Sequence, residues 1–226
     1  MNSAPEDQIV TSVLDAIAEQ RLPAGTKLGE QALSDLFGCN RANVRRAFAA
    51  LAAQAVVELR PNRGAFVATP SPEEARDVFQ ARRTIEDTVA RHASGKATPE
   101  DIAFLRRAIR EEREAREQHD KPRELRLSRQ FHMRLAEIAG NKVLERFLSE
   151  LTMRSTLILG LYGTKGRVLC GDEEHGEIVD ALEAGDTDRL RGLMDRHLRH
   201  LEGGLQFDSP PPSHLSLREQ LLTGQS

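Results

Sequence analysis

Residues 56–68 read VVELRPNRGAFVA, two short β-prone runs on either side of Arg60-Pro61-Asn62-Arg63-Gly64. Val, Phe and Leu fill the runs, and Pro, Asn and Gly supply turn chemistry between them, so the stretch predicts a β-hairpin. What precedes it reads as helix. Ile9, Val10, Val13, Leu14 and Ile17 recur at helical spacing over 6–20. Ala32, Leu33, Leu36 and Phe37 do so over 30–37, and Val44, Phe48 and Leu51 on a helix running to about Gln54. Between the first two, RLPAGTKL is broken by Pro23 and Gly25 and reads as a turn or short extended piece. Gly38 suits a C-terminal cap and Asn40 the N-cap of the next helix.

Three helices followed by a hairpin is the order of a winged helix-turn-helix, which would occupy residues 1–70. TPSPEEA (69–75) is a Pro-rich hinge that also starts a helix, Pro72 fitting a first-turn position. Six helical segments follow, at about 73–93, 99–118, 122–139, 141–162, 171–184 and 187–204, separated by breaks at Gly95, Pro122, Gly140, Gly163 to Gly166 and Gly185. Short loops between helices predict antiparallel neighbours. The fold class is therefore mainly α: the winged unit with its small β-hairpin, then an antiparallel six-helix bundle over 71–205. The segment 206–226, with its FDSPPPSH, reads as a flexible tail.

Bulk properties exclude several classes. Two cysteines, Cys39 and Cys170, without any CxxC give neither a thiolate zinc site nor a disulfide framework. No basic, apolar leader opens the chain, and no run approaches the ~20 apolar residues of a membrane span. A cytoplasmic protein with no membrane association is expected. The net charge of -3 excludes a globally basic nucleic-acid binder but not a local patch. Such a patch exists. Residues 1–70 hold seven Lys/Arg and seven Asp/Glu, yet from Cys39 to Ala68 five arginines face one acid, Glu58. A recognition helix presents its N-terminal side chains to the major groove, where an arginine fork holds guanine O6 and N7 together. Arg41 and Arg45 share a helix face, being four apart. Arg63 at the hairpin tip can reach the minor groove or a phosphate, with Gly64 permitting close approach.

This arginine-rich helix and its RPNRGAFV wing resemble the GntR family of bacterial transcription regulators. NRANVRRAF here matches the family's S-R-T-P-V-R-E-A-L. The resemblance gives Arg41 and Arg45 the family's base-contacting positions and Asn62, Arg63 and Gly64 the wing tip, and Asn43 and Arg46 on the same helix complete the expected DNA-reading set. Arg46 stands where the family has an acid, Asn43 replaces a common Pro or Thr, and Gln31 falls where relatives can carry a DNA-contacting Arg. The later segments RQFHMRLAEIAGN (129–141), DEEHGEIVDALEAGD (172–186) and LMDRHLRHL (193–201) resemble motifs of the FadR-like effector domain, FCD. The resemblance covers about residues 6–204. It implies a ligand-responsive regulator, a repressor released by a small organic acid, bound as a homodimer to a palindromic double-stranded operator.

His132, His175 and His197 each lie on the inward stripe of their helix, among Leu135 and Ala136, Ile178 and Leu182, and Leu193, Met194 and Leu201. Spacing alone leaves two readings open. The imidazoles are core residues satisfied one by one, or they face one another and share a divalent metal. The resemblance implies the second, with zinc or nickel as the ion, and places Ser128 where the family has an aspartate ligand. Arginine on the bundle's inner face would hold an effector carboxylate by bidentate pairing. Arg82 (or its neighbour Arg83) and Arg154 are the candidates. Arg82 falls in register with Val78, Ile85 and Val89, although a pairing with Glu86 at i+4 also accounts for it. The rival reading is a metal-dependent hydrolase built on the three histidines. It needs a general base at the metal, and Glu174 and Glu177 are the available acids. Glu174 adjoins His175, however, and helical neighbours point in different directions. Nucleophile-elbow, dinucleotide and P-loop motifs are absent.

Overall fold

The computed structural model describes residues 4–163 and 172–207. The expected breaks at Gly166 and the second cysteine, Cys170, lie outside these residues, as does the tail beyond Phe207. Helix α1 (Pro5–Ala18) is followed by strand β1 (Lys27–Leu28), α2 (Glu30–Leu36), α3 (Arg41–Ala53), β2 (Val57–Arg60) and β3 (Gly64–Val67). Asn40 caps α3 as its sequence suggests, its side chain accepting from the Asn43 backbone N–H. The hairpin forms with Arg60 opposite Gly64, and its turn takes positive φ at Asn62 (57°) and Gly64 (93°), conformations suited to Asn and Gly. The sheet has one strand more than the hairpin. Lys27 and Leu28 pair antiparallel with Phe66 and Ala65, giving the order β1-β3-β2. Ile9, Val13, Ile17, Leu33, Val44, Phe48, Leu51, Val57 and Val67 close one core beneath this unit.

The bundle comprises α4 (Pro72–Ala93), α5 (Pro99–Glu117), α6 (Lys121–Ala139), α7 (Lys142–Tyr162), α8 (Asp172–Glu183) and α9 (Thr187–Gly203). Local chemistry sets the ends. Ser71 caps α4 with Pro72 in its first turn, Thr98 and Asp101 form a capping box on α5, and Gly140 ends α6 with φ 75°. Helix α4 packs against α6, α7 and α9, and α5 against α6 and α8. Phe79, Phe131, Leu135, Leu148, Ile158, Ile178 and Leu198 are among the residues of this second core. Gln206 and Phe207, read from sequence as the start of the tail, dock instead. The Gln206 N–H donates to the Tyr162 carbonyl at 2.7 Å and the two aromatic rings meet at 4.8 Å.

The two cores share one element. Met153 and Leu157 of α7 are buried in the first core, while Leu148, Leu151, Ile158 and Leu159 of the same helix belong to the second. Helix α7 also contacts α1, and a side chain at Gly160 would meet the Gln20 amide at 3.1 Å. Arg126 of α6 donates to Glu19 at 2.7 Å, just past the end of α1. One helix thus has a face in each half of the chain.

Candidate nucleic-acid interface and metal centre

Helix α3 presents Arg41, Arg45 and Arg46 to solvent, with Asn43 half-buried, and the wing exposes Asn62, Arg63 and Gly64. Partners divide the helix set in two. Toward α2, Arg41 Nε donates to Gln31 Oε1 and Arg45 Nε to Glu30 Oε1, both at 3.1 Å. Toward α1, Asn43 Nδ2 and Arg46 Nε donate to the two oxygens of Glu6, again at 3.1 Å. Glu6 therefore turns Asn43 and Arg46 aside from the face that carries Arg41 and Arg45. The arginines in these pairs are exposed, so solvent and salt screen them and they yield readily to a phosphate or base. On the wing, Phe66 lies beneath Arg60 (4.5 Å) and Arg63 (5.9 Å), a platform that supports the cations at the tip.

In the bundle, His132 of α6, His175 of α8 and His197 of α9 are all buried and face one another, with ring centroids 4.7 to 5.5 Å apart. One nitrogen from each lies within 4.8 Å of the others. Every Nδ1 is held from behind by a carboxylate: His132 by Glu86 at 2.7 Å, His175 by Glu112 at 3.0 Å and His197 by Glu174 at 2.9 Å. Burial works against the Glu86 charge, but His132 and Arg82 outweigh it and hold this carboxyl at about 2. Burial likewise pushes the His132 imidazole down to about 3, Glu86 pulling it back only in part. His132 is then neutral at pH 7, its proton on Nδ1 facing the carboxylate and its lone pair on Nε2. That Nε2 is buried and has no hydrogen-bond partner among the described residues. A neutral imidazole fixed in this tautomer by a carboxylate is the form that ligates metal. The residues fit a divalent ion. Ser128, one turn before His132, lines the same space and adds no charge.

A cleft open to solvent lies beside His132, the one of the three histidines that lines it. Arg82 lines it; Arg154 does not. Arg82 is buried, donating from Nε to Glu86 Oε1 at 2.6 Å and from NH1 to Ser155 Oγ at 2.9 Å. It therefore already has its carboxylate. Arg83, the alternative, pairs with Glu202 and Asp195. Arg154 pairs with Glu74 at 2.7 Å, because it is two residues from both Thr152 and Thr156, which face the cleft, and so points elsewhere. The cation at the cleft that sequence reasoning passed over is Arg129.

The sequence does not show the role of the three carboxylates behind the histidines, although the Arg82–Glu86 pairing it allows does form. Their signal was slight: Glu86 follows Arg82 by one turn, and Glu112 sits in the charged run REEREARE. Glu174 was weighed only against its neighbour His175. It reaches across to α9, where its oxygens take His197 at 2.9 Å and His200 at 2.8 Å. Both oxygens are engaged on the outer side of the rings, and Glu177 pairs with Arg196, so neither acid stands as a base at the inner nitrogens.

Comparison with known proteins agrees with this architecture. Residues 5–67 match the model for bacterial regulatory proteins of the gntR family, and residues 77–200 match the FCD domain. The chain is 27% identical to the Uxu operon regulator of Haemophilus influenzae, over 76% of this chain and 71% of that one. It is 26% identical to the HTH-type transcriptional regulator LutR of Bacillus subtilis (82% and 94% covered). It is 28% identical to the HTH-type transcriptional repressor RspR of Escherichia coli (78% of each). Among solved structures, E. coli McbR/YncC superposes with a TM-score of 0.78 at 17% identity, covering 88% and 95% of the two chains. A transcriptional regulator from Rhodococcus superposes equally, at 0.78 and 23%, covering 89% and 97%. These two show the shared fold. No helix among the described residues is long and apolar enough to cross a membrane. A winged reader with a helical bundle behind it, matched along nearly its whole length, places the chain in the GntR family of transcription regulators, in the branch that carries an FCD domain.

Proposed function

We propose that the chain is a cytoplasmic, homodimeric repressor whose operator binding is released by a small organic acid taken up in the bundle. Residues 1–70 would read DNA, 71–205 would sense the ligand, and 206–226 would serve neither. The observation that carries the reading is the cleft beside His132 of the three-histidine cluster, joined by α7 to the core of the winged unit. Two-fold operators match two-fold proteins, and a single small reader seldom binds tightly enough alone, so a dimer on a palindrome follows.

On the DNA side, Arg41 and Arg45 are the base-reading pair. Arg63 contacts the backbone or minor groove, with Asn62 and Gly64 shaping the turn. Asn43 and Arg46, held by Glu6, contribute less. On the ligand side, His132, His175 and His197 would hold zinc or nickel through their inner nitrogens. The ion would supply a Lewis-acidic centre for a ligand oxygen. Glu86, Glu112 and Glu174 fix the rings behind it, and Ser128 leaves room for an outside oxygen donor. Arg82, bound by Glu86, positions that carboxylate rather than the ligand. Arg154 has no part in the cleft. With the nearby acids committed to the rings, we assign the chain no catalytic role.

Release of DNA would proceed by population shift. Thr152 and Thr156 of α7 line the cleft, and Met153 and Leu157 of the same helix sit in the reader's core. A ligand that favours one setting of α7 thereby favours one placement of the winged unit, and half-site spacing is sensitive to such placement.

The test is selection of genomic fragments by the purified protein, with the bound DNA sequenced. Enrichment of a short palindrome upstream of a few genes is expected. No enrichment at low salt, with metal added and then with metal chelated, would overturn the regulator reading.

A further inference from the structure

The charged groups lining the cleft are matched, with one exception. Arg82 holds Glu86, Glu112 holds His175, and Glu124 accepts from Arg116 at 2.9 Å and Lys121 at 2.8 Å. Among the described residues Arg129 has no carboxylate within hydrogen-bonding distance. Its NH2 donates to the Ser149 hydroxyl at 3.3 Å, a neutral acceptor, and its Nε is buried with no hydrogen-bond partner among the described residues. Burial pushes the guanidinium below its ordinary value, and Asp15 of α1 opposes this only through space. Arg129 is half-buried with its Nε shut away from water and Asp15 acting on it only through space, so an anion arriving beside it would supply the direct partner it lacks.

Helix α7, whose Ser149 already takes Arg129, offers acceptors to the cleft. Thr152 Oγ1 donates to the Ser149 carbonyl at 3.0 Å and Thr156 Oγ1 to the Thr152 carbonyl at 2.9 Å. Their single protons are spent on the backbone, so toward the cleft they present lone pairs. Both threonines are buried. Leu125, Leu159 and Leu201 complete the lining.

From these placements we infer that Arg129 is the anchor for the effector's carboxylate, and that Thr152 and Thr156 select an acid carrying a hydroxyl donor, making the ligand class a small hydroxycarboxylate. The inference rests on the organic-acid reading above and narrows it. It moves the anchor from Arg82 and Arg154, which hold Glu86 and Glu74, to a residue beside Ser128.

The probes are matched pairs, acetate with glycolate and propionate with lactate, titrated calorimetrically into the zinc-loaded full chain. The wild type should bind each hydroxy acid about tenfold or more tightly than its parent. Arg129→Gln should lose about tenfold or more of that affinity, Arg129→Lys, which keeps the cation without the fork, should lose less, and Arg154→Gln should match the wild type. Zinc content and the circular dichroism spectrum should be unchanged in Arg129→Gln, which separates loss of the anchor from loss of the fold or the ion. Equal affinity of Arg129→Gln and wild type would overturn the anchor. Equal affinity for parent and hydroxy acids would overturn the threonine selection. Wild-type protein that takes none of the four acids while still holding operator DNA would sink the organic-acid reading together with this inference. Binding unaffected by Arg129→Gln would sink the inference alone.

Discussion

Glu86 is the most exacting place to perturb this protein. It is 1% exposed, and each oxygen is committed, one to Arg82 Nε at 2.6 Å and the other to His132 Nδ1 at 2.7 Å. Glu86→Gln keeps the shape and removes the charge. Arg82, itself 4% exposed, is left as a buried cation whose remaining partner is the Ser155 hydroxyl. Breaking a buried pair this way costs about 3–5 kcal/mol. At about 2–4 °C per kcal/mol for a chain of this size, the melting temperature should drop by roughly 6–20 °C. Urea denaturation in the presence of a chelator gives the value without contribution from metal. Replacing both partners, Arg82→Met with Glu86→Met, should recover part of the loss, since the uncompensated cation is gone and what remains is the His132 Nδ1–H without its acceptor. Glu86→Gln should also weaken zinc by about 10–100-fold, the histidine having lost the group that fixes its tautomer. A destabilisation by Glu86→Gln below about 1 kcal/mol, or a double variant no more stable than either single one, would refute the reasoning.

Arg45→Ala should weaken operator binding by about 1–3 kcal/mol with the fold intact, as anisotropy titration would show; unchanged affinity would remove Arg45 from the reading face. His175→Ala should lower bound metal, measured by elemental analysis, and abolish the ligand response while sparing DNA binding by the metal-free protein. Unaltered stoichiometry would contradict the three-histidine site. Asp101 closes the capping box on α5, and the Thr98 backbone N–H, Thr98 side chain and Arg134 together hold its carboxyl below the ordinary 3.8 against the effect of burial. A lowered folded value means stability that is full above 3.8 and lost as pH falls through it. Wild type should therefore exceed Asp101→Asn by about 1 kcal/mol at neutral pH, with the gap closing in acid. A gap that widened below pH 3.8 would reverse the assignment.

What was legible in the sequence was whatever depends on local spacing. Gly140, Pro72 and Asn40 marked helix ends because backbone geometry there is set by the residue itself. The inward placement of the three histidines was legible because each sits on a single apolar stripe, but that they share one site came only from the family resemblance. Helix α7 was harder, since it buries two faces. Leu151 and Ile158 turn to the bundle core and Met153 and Leu157 to the reader core, so no one stripe told which side Arg154 would take. Strand β1 is two residues long, too short for alternation to register. The carboxylates behind the histidines and the cation Arg129 lie in charge-rich runs that ordinarily face solvent, and only packing between distant helices buries Glu86 and Glu112 and half-buries Glu174 and Arg129.

The central claim is that the bundle's ligand governs the reader's hold on DNA. The direct measurement is affinity for an enriched operator fragment, with zinc-loaded protein, with and without each acid of the series above at saturation. The account predicts that at least one hydroxy acid weakens binding by about 5- to 150-fold, and that His175→Ala binds the fragment but ignores the acid. An affinity unmoved by every acid that binds the bundle would contradict it.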